Sequence, residues 1–467
     1  MESTDVVIVG SGLAGLTAAL SLLDTSSSCR VTILEKDAKL GLGNSIKASS
    51  GINCAANKED VPNFRQDTMT SAGRGARPHL IDTLVNGSQE AIEWLQQRLE
   101  VDLSSTAQLG GHQAERTHRP SGSLPVGAEI MGKLRKAVEQ AKERITILTN
   151  AKAKKLTTDG SGRVTGVEYE NTESKETHTL SATHVVIATG GYTANRDLLN
   201  EHRPELTKFP ITQGPFSTGD GLQLCQEVQA ASVDLDKIQV HPTGFVDPKD
   251  PDNPNKFLCA EVLRGVGGIL LSPQGQRFCD ELGRRDYVTE QILSLHPDHD
   301  PNTTWDASLT LPRPYIVLPV AAAASISKHI EFYAWKGFLR KVQGCQGVAE
   351  AVGCSVENVG KTLQEYQHAA KVGNDSFGKT RFIGVPEMNE EFYVGTVVPV
   401  LHYCQGGLAI DTSGHVLGKN GEPIPGLHAC GEVSGGVHGE NRLAGNSLLE
   451  CVVYGRIVSQ TICGDKK

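Results

Sequence analysis

Asp5-Val6-Val7-Ile8-Val9-Gly10-Ser11-Gly12-Leu13-Ala14-Gly15 decides the fold of this chain. The unbroken apolar run Val6–Val9 reads as a parallel strand buried on both faces. The small-residue stretch from Leu13 to Leu23 reads as a helix, and Val31-Thr32-Ile33-Leu34-Glu35 as a second strand, completing one βαβ unit. Gly10, Gly12 and Gly15 then sit where a dinucleotide fingerprint needs them. The first makes the tight turn, the second lets a pyrophosphate approach, and the third packs helix on strand. The helix N-terminus offers unpaired N–H groups and the positive end of a dipole to phosphates. Glu35 ends the second strand, about 20 residues after Gly15, where an acid accepts ribose hydroxyls. A GxGxxG motif alone is weak evidence; strand, helix and placed acid together make it a dinucleotide site.

Three later motifs select the cofactor. Gly41-Leu42-Gly43-Asn44-Ser45 follows the ribose acid, Ala188-Thr189-Gly190-Gly191 closes a strand, and Gly431-Glu432 follows the strand-like Leu427-His428-Ala429-Cys430. Singly, each is an ordinary turn. Together they resemble the spaced flavin contacts of the two-dinucleotide-fold flavoproteins, in which distant segments return to one FAD.

Bulk properties bound the rest. A length of 467 residues implies two domains, and 50 glycines suit a backbone that approaches a large ligand at many places. The net charge of −9 argues against nucleic acid and against an anionic membrane surface as partners. It also means that a dianionic substrate needs its own concentrated positive field. No apolar run is long enough to span a bilayer. Met1-Glu2-Ser3-Thr4 leads straight into a strand, which leaves no room for a targeting peptide. The 11 scattered cysteines contain no CxxC, CxxCH or iron–sulfur spacing, so reduced, mostly buried thiols in a cytoplasmic protein are expected, with no metal site.

Leu80, Leu84, Ala91, Leu95 and Leu99 are spaced as on one amphipathic helix over 80–99. Short β-rich runs between 145 and 189 suggest a small sheet inserted into the nucleotide-binding domain. From 236 to 403 the chain changes character, with Pro-rich loops and a helix over 355–371, and Gly-rich motifs return after 404. The expected architecture is α/β: a Rossmann-type FAD-binding domain (1–235 and 404–467) with an inserted α+β capping, or substrate, domain (236–403).

Lys47-Ala48-Ser49-Ser50-Gly51-Ile52-Asn53, Gln108-Leu109-Gly110-Gly111-His112, Gln239-Val240-His241-Pro242-Thr243-Gly244, Arg284-Arg285-Asp286 and the run from Gly435 to Leu443 resemble, in order, the soluble fumarate reductases. These belong to the wider fumarate reductase and succinate dehydrogenase flavoprotein family, and the likeness is nearest to the yeast-type enzymes. The resemblance implies FAD contacts at Gly10, Gly12, Leu13, Ala14, Gly15, Glu35, Lys36, Asn44, Ser45, Ser49, Ser50, Gly51, Ala188, Thr189, Gly190, Asp220, Glu432, Asn446, Ser447 and Leu448. It implies carboxylate-binding roles for His241, His402 and Arg442, a proton-donor role for Arg285, and resupply of that proton through Glu261 and Arg264. Membrane-bound relatives bond the flavin to a histidine near the segment where Ser45 stands here, so the FAD is expected to be non-covalent.

Those residue types suit reduction of fumarate to succinate. Arginine presents a planar fork that matches a carboxylate bidentately. A clamped, polarised carboxylate stabilises the charge that develops when hydride reaches the alkene carbon. Arginine is a weak acid, but beside a carbanion-like carbon it is always loaded. The chain departs from the family pattern at Cys404-Gln405, at Glu440, at Ala444 and at Ala260. Cys404 and Gln405 are expected near the flavin, and Glu440 either weakens dianion binding or faces solvent. Alternative readings keep the fold and change the substrate to urocanate or L-aspartate, or make the chain a non-enzymatic binding protein. The electron source is expected to be external, a reduced free flavin or an unidentified donor, because the one fingerprint is occupied by the FAD itself.

Overall fold

The computed structural model describes residues 2–122 and 124–464, so Met1, where the reading of the N-terminus begins, lies outside the described residues. The strand Glu2–Val9 pairs in parallel with Val31–Leu34, in the register Val6↔Val31 to Val9↔Leu34, and the helix Leu13–Thr25 connects them. It also pairs in parallel with the long strand Thr177–Ile187. Ile145–Leu148 and Pro423–Ala429 extend the parallel sheet on either side, and His415–Leu417 closes one edge antiparallel. The central strand is apolar over Val6–Val9, its second half, where Val6, Val7 and Ile8 are fully buried.

Two local expectations need correction. The run Ile145–Leu148 belongs to the main sheet. Only Ala151–Thr158 and Val164–Asn171 form the antiparallel excursion, which hangs on the first half of Thr177–Ile187. The amphipathic stretch 80–99 is two helices, Pro78–Asn86 and Ser88–Leu99, with Gly87 between them. A Cβ at Gly87 would lie 2.9 Å from Val453 Cγ1, so the glycine is where the C-terminal helix Asn446–Gly464 presses closest. The apolar face survives the break, since Leu80, Leu84, Ala91, Leu95 and Leu99 are all buried.

A second sheet of six strands is antiparallel throughout. Its axis is the 14-residue strand Glu391–Cys404, flanked by Ile238–Phe245 on one side and Tyr315–Pro319 on the other. The helix expected over 355–371 spans Val356–Val372. Ser355 accepts the Asn358 N–H at 3.1 Å as its N-cap, and Gly373 ends it in the left-handed region at φ 84°. The mixed α/β class with a capping sheet is therefore the observed architecture. Eight of the 11 cysteines are buried, as expected from their scatter.

Candidate active site

The fingerprint glycines divide their labour as the motif requires. Gly10 has φ +104°, and a Cβ there would meet Ala188 O at 2.5 Å. Gly15 faces the turn itself, with Gly10 O only 2.1 Å from where its Cβ would stand. Nothing lies within 4 Å of the position a Gly12 Cβ would take, because that position opens into a cavity of about 720 Å³. The helix that begins there has no side-chain cap and no acid in its first turn, so its N–H groups are free for an anion. This cradle fits the diphosphate of FAD.

All but two of the expected FAD contacts line this cavity. Gly15 packs the helix instead. The Asn446 side chain turns into the core, accepting from Asn53 Nδ2 at 2.7 Å and donating to Thr68. Glu35 holds its carboxylate at the cavity wall through the N–H and hydroxyl of Ser11 and the Asp37 N–H. Lys36 donates to Asp220 at 2.7 Å, to Thr218 and to Phe216 O, which ties the turn 216–220 to the second strand. Asn44 bridges to Gly214 and Ser217. Glu432 accepts from the Cys404 N–H at 2.9 Å and from Gln213, and burial raises its pKa to about 7.

At one end of the cavity the antiparallel sheet brings up basic groups. Gln239 and His241 come from Ile238–Phe245, and His402 and Tyr403 from the paired strand. Arg285 opens the helix Arg285–Leu293, and Glu261 caps the short turn that carries Arg264. Arg285, His402 and Arg442 reach the cavity wall, whereas His241, Glu261 and Arg264 stand behind it. Arg285 Nε donates to Glu261 Oε2 at 2.9 Å, and Arg264 Nη2 lies 3.9 Å from the same oxygen. Glu261 Oε1 accepts from the Gly110 N–H at 2.9 Å. One carboxylate thus serves two guanidinium groups.

Gln239, quoted within its motif but given no role from sequence, is the joint of the cluster. Its Oε1 accepts from Arg285 Nη1 at 2.8 Å and from Arg442 Nη2 at 3.1 Å. Its position two residues from His241 on a strand was the available signal. Tyr403 was also missed, and the Arg442 guanidinium lies 4.4 Å over its ring. Arg442 has no carboxylate partner among the described residues.

Burial sets the protonation of this group. It lowers Arg442 to about 10, with Arg285 pushing the same way and Tyr403 and Glu432 opposing. Arg285 is lowered by burial, against the pull of Glu261. Burial alone would raise Glu261, but Arg285, Arg264 and the Gly110 N–H outweigh it and hold the carboxyl below its ordinary range. His241 and His402, their rings 5.2 Å apart, are both held well below 6.5 by burial and then by Arg285. They are neutral at pH 7, so the positive charge at the wall is guanidinium charge. His402 faces the cavity and bonds Thr212 through Nδ1 at 2.8 Å.

The departures from the family pattern fall away from the wall. Cys404 is buried, with its sulfur accepting the Tyr192 N–H at 3.3 Å and its own N–H donating to the cavity-wall Glu432 at 2.9 Å, and Gln405 donates to Glu440 O; both stand behind the residues that line the cavity. Glu440 faces solvent. Ala444 contributes its carbonyl, which accepts from Asn53 at 2.7 Å, and Ala260 is buried beside Tyr333.

A dinucleotide cradle running into a cluster of buried arginines defines a flavin-dependent oxidoreductase. The model of an FAD binding domain matches residues 5–448. The fumarate reductase of Schizosaccharomyces pombe is 40% identical over 98% of this chain and 89% of its own length. Fumarate reductase 1 of Saccharomyces cerevisiae is 41% identical over the whole of both chains. The open conformation of a flavocytochrome c3 fumarate reductase superposes with a TM-score of 0.76 at 30% identity, covering 99% of this chain and 78% of that one. The chain belongs to the fumarate reductases of the FAD-binding flavoprotein family. Among the described residues no helix is long and apolar enough to cross a membrane, and no cluster of three or more metal-ligating side chains occurs.

Proposed function

We propose that this protein reduces fumarate to succinate with non-covalently bound FAD. The observation that carries this reading is Arg442, a buried cation at the cavity wall that forms no ion pair among the described residues; Glu432 and Glu261 act on it only from a distance. A buried charge is retained where a partner of opposite sign completes it. The names of the relatives supply the substrate, and the residues supply its handling.

Bound in the cradle, FAD supplies the hydride. Arg442 and His402 hold and polarise one carboxylate of the substrate, with His241 behind them. Arg285 donates the proton to the neighbouring carbon. Burial has already lowered its pKa, so the transfer is less uphill than from an exposed arginine. A proton taken up from solvent passes through Glu261, 2.9 Å from Arg285 Nε and 3.9 Å from Arg264 Nη2, to reload Arg285, so that Glu261 is protonated only in passing and ends each turnover ionised. Hydride and proton together convert the alkene to the saturated dicarboxylate. Two arginines converging through Gln239 suit a dianion better than the single carboxylate of urocanate, and the α-ammonium group of L-aspartate would be repelled by the same guanidinium charge. Electrons reach the FAD from outside the chain, through a reduced free flavin.

The test is anaerobic reduction of the purified flavoprotein followed by mixing with fumarate, urocanate and L-aspartate in parallel. Fumarate should reoxidise the flavin and yield succinate. Failure of fumarate, with reoxidation by another acid, would overturn the substrate. For the donor, NADH alone should give no turnover, and NADH with a flavin reductase and FMN should give turnover. Rapid turnover with NADH alone would refute the donor.

A further inference from the structure

Beside the flavin cavity lies an alcove of about 140 Å³, walled by the hairpin Ser105–Ala107 and Thr117–Arg119 on one side and by the start of the helix Ser327–Trp335 on the other. Ser49, Lys328 and His329 belong to the walls of both spaces, so the alcove stands at the threshold of the main cavity. Among the described residues its lining holds Arg119, Lys328, His329 and several serines, and no carboxylate.

Arg119 is the informative group. It sits opposite Ser105 across the hairpin, and burial alone lowers its pKa, with no acid acting on it. Arg119 shares this lack of a carboxylate with Arg442 at the main cavity, whereas several other arginines of this chain are matched. Arg77 meets Asp234, Arg116 meets Asp60 and Asp67, and Arg277 meets Glu281 and Asp375. Next to Arg119, His329 carries a buried Nε2 with no partner, and Arg119 is close enough to lower the pKa of its ring further. The helix Ser327–Trp335 has no side-chain cap and no acid in its first turn, so its positive end adds to the same field. Lys328 pairs with Glu331 at 3.1 Å. Ser121, also on the lining, is committed to Asp102.

We propose that this alcove is a second anion site, built for a small dianion of the size of a four-carbon dicarboxylate or inorganic phosphate. Pockets for drug-sized ligands run to about 300–1,000 Å³, so an aromatic nucleotide does not fit here. Assignment of the dicarboxylate as occupant rests on the reading of the main cavity. A molecule of net charge −9 repels a dianion at long range, and an anion-selective threshold concentrates it where the cavity begins. An anion held there would also join the hairpin of the flavin-binding side to the capping helix.

The test is calorimetric titration of the FAD-loaded protein with succinate, and separately with inorganic phosphate, while flavin absorbance is followed. Binding in the main cavity perturbs the flavin; binding in the alcove shows only as heat. Two succinates should bind, one of them silent to the flavin, and Arg119→Gln should abolish the silent event while sparing the other. Lys328→Gln, an exposed change that does not threaten folding, should weaken the silent event about tenfold, the loss of one charge-assisted contact. Phosphate binding that disappears in Arg119→Gln, without a silent succinate, would support the site and fix its ligand as phosphate. Absence of any event silent to the flavin in the wild type with either anion, or a silent event unchanged in both variants, overturns the proposal. If the main cavity takes no dicarboxylate, the flavin stays unperturbed while the silent event persists, so the two readings fail separately.

Discussion

Replacing Glu261 by glutamine tests the proton path with little change of shape. Two donors point at two different oxygens of this carboxylate: Arg285 Nε at 2.9 Å onto Oε2 and the Gly110 N–H at 2.9 Å onto Oε1. An amide keeps only one acceptor oxygen, so one donor is left facing an NH₂ group, at about 1–3 kcal/mol. The carboxylate also compensates Arg285 and Arg264 together, and removing the partner from a buried ion pair costs about 3–5 kcal/mol. These terms overlap, so a loss of stability of about 3–5 kcal/mol is expected, read as a lowered melting midpoint. Glu261 does not line the cavity, so flavin content and spectrum should match the wild type.

The kinetic expectation is sharper. Without a route to reload Arg285, kcat should fall by about two to four orders of magnitude, as for loss of a general acid. KM should hold or drop, because two guanidinium groups near the wall lose their counter-charge and attract a dianion more strongly. Steady-state rates with a reduced dye as donor, measured anaerobically against fumarate concentration, separate the two parameters. A raised KM with kcat retained would mean that Glu261 only holds the arginines in place, and wild-type kcat would remove it from the proton path altogether.

Gly12→Val should leave the fold intact and abolish FAD binding, because its side chain would fill the open cradle, whereas Gly15→Ala should destabilise the fold by about 1–3 kcal/mol, since Gly10 O stands 2.1 Å from the added carbon. Flavin retention and melting midpoint of each variant discriminate these outcomes; FAD bound by Gly12→Val would refute the cradle. Acid precipitation should release the yellow colour into the supernatant, and colour retained in the washed pellet would show a covalent bond. His112, His241, His402 and His428 are all lowered by burial, so the unfolded chain takes up their protons near 6.5 while the folded one does not. Stability should therefore be full above about pH 6.5 and fall as pH drops toward the depressed folded values. His112 alone, lowered from 6.5 to about 4, accounts for about 3 kcal/mol at full expression, and a melting midpoint flat from about pH 8 to about pH 5 would contradict this.

The parts of the fold legible in sequence were those written in consecutive residues. The first βαβ unit, the fingerprint turn and the capped helix Val356–Val372 each carry their whole instruction locally. The errors arose where a distant partner decides. Gly87 breaks an otherwise continuous amphipathic face because Val453, far along the chain, presses on it. Ile145–Leu148 reads like the strands that follow it, and only the vacant edge beside Val31–Leu34 makes it part of the parallel sheet. In the site, the motifs shared with the fumarate reductases pointed to Arg285, Arg442 and Glu261, whereas Gln239 is a neutral side chain whose importance lies in which two guanidinium groups it joins. Cys404, expected near the flavin, turns its sulfur to Tyr192 and meets the cavity-wall Glu432 through its backbone N–H, a division that residue type does not announce.

Charge pairing connects stability with function in this molecule. Arg116, with no exposed side-chain area, is held by Asp60 and Asp67, and Arg277 by Glu281 and Asp375, so cations deep in the fold are normally neutralised. At the cavity the rule is relaxed in steps: Arg285 shares Glu261 with Arg264, and Arg442 has only Gln239, a backbone carbonyl and the Tyr403 ring. Burial lowers Arg442 to about 10, and no ion pair among the described residues offsets it. Adding a protein carboxylate there would stabilise the fold and occupy the fork proposed for the substrate. Leaving the place open lowers the stability of the ligand-free protein and returns that free energy when a dicarboxylate binds. The same reasoning explains why neutral histidines stand beside the arginines. Protonated rings would add repulsion to a cluster already short of negative charge, whereas neutral ones contribute hydrogen bonds to a carboxylate without deepening the deficit.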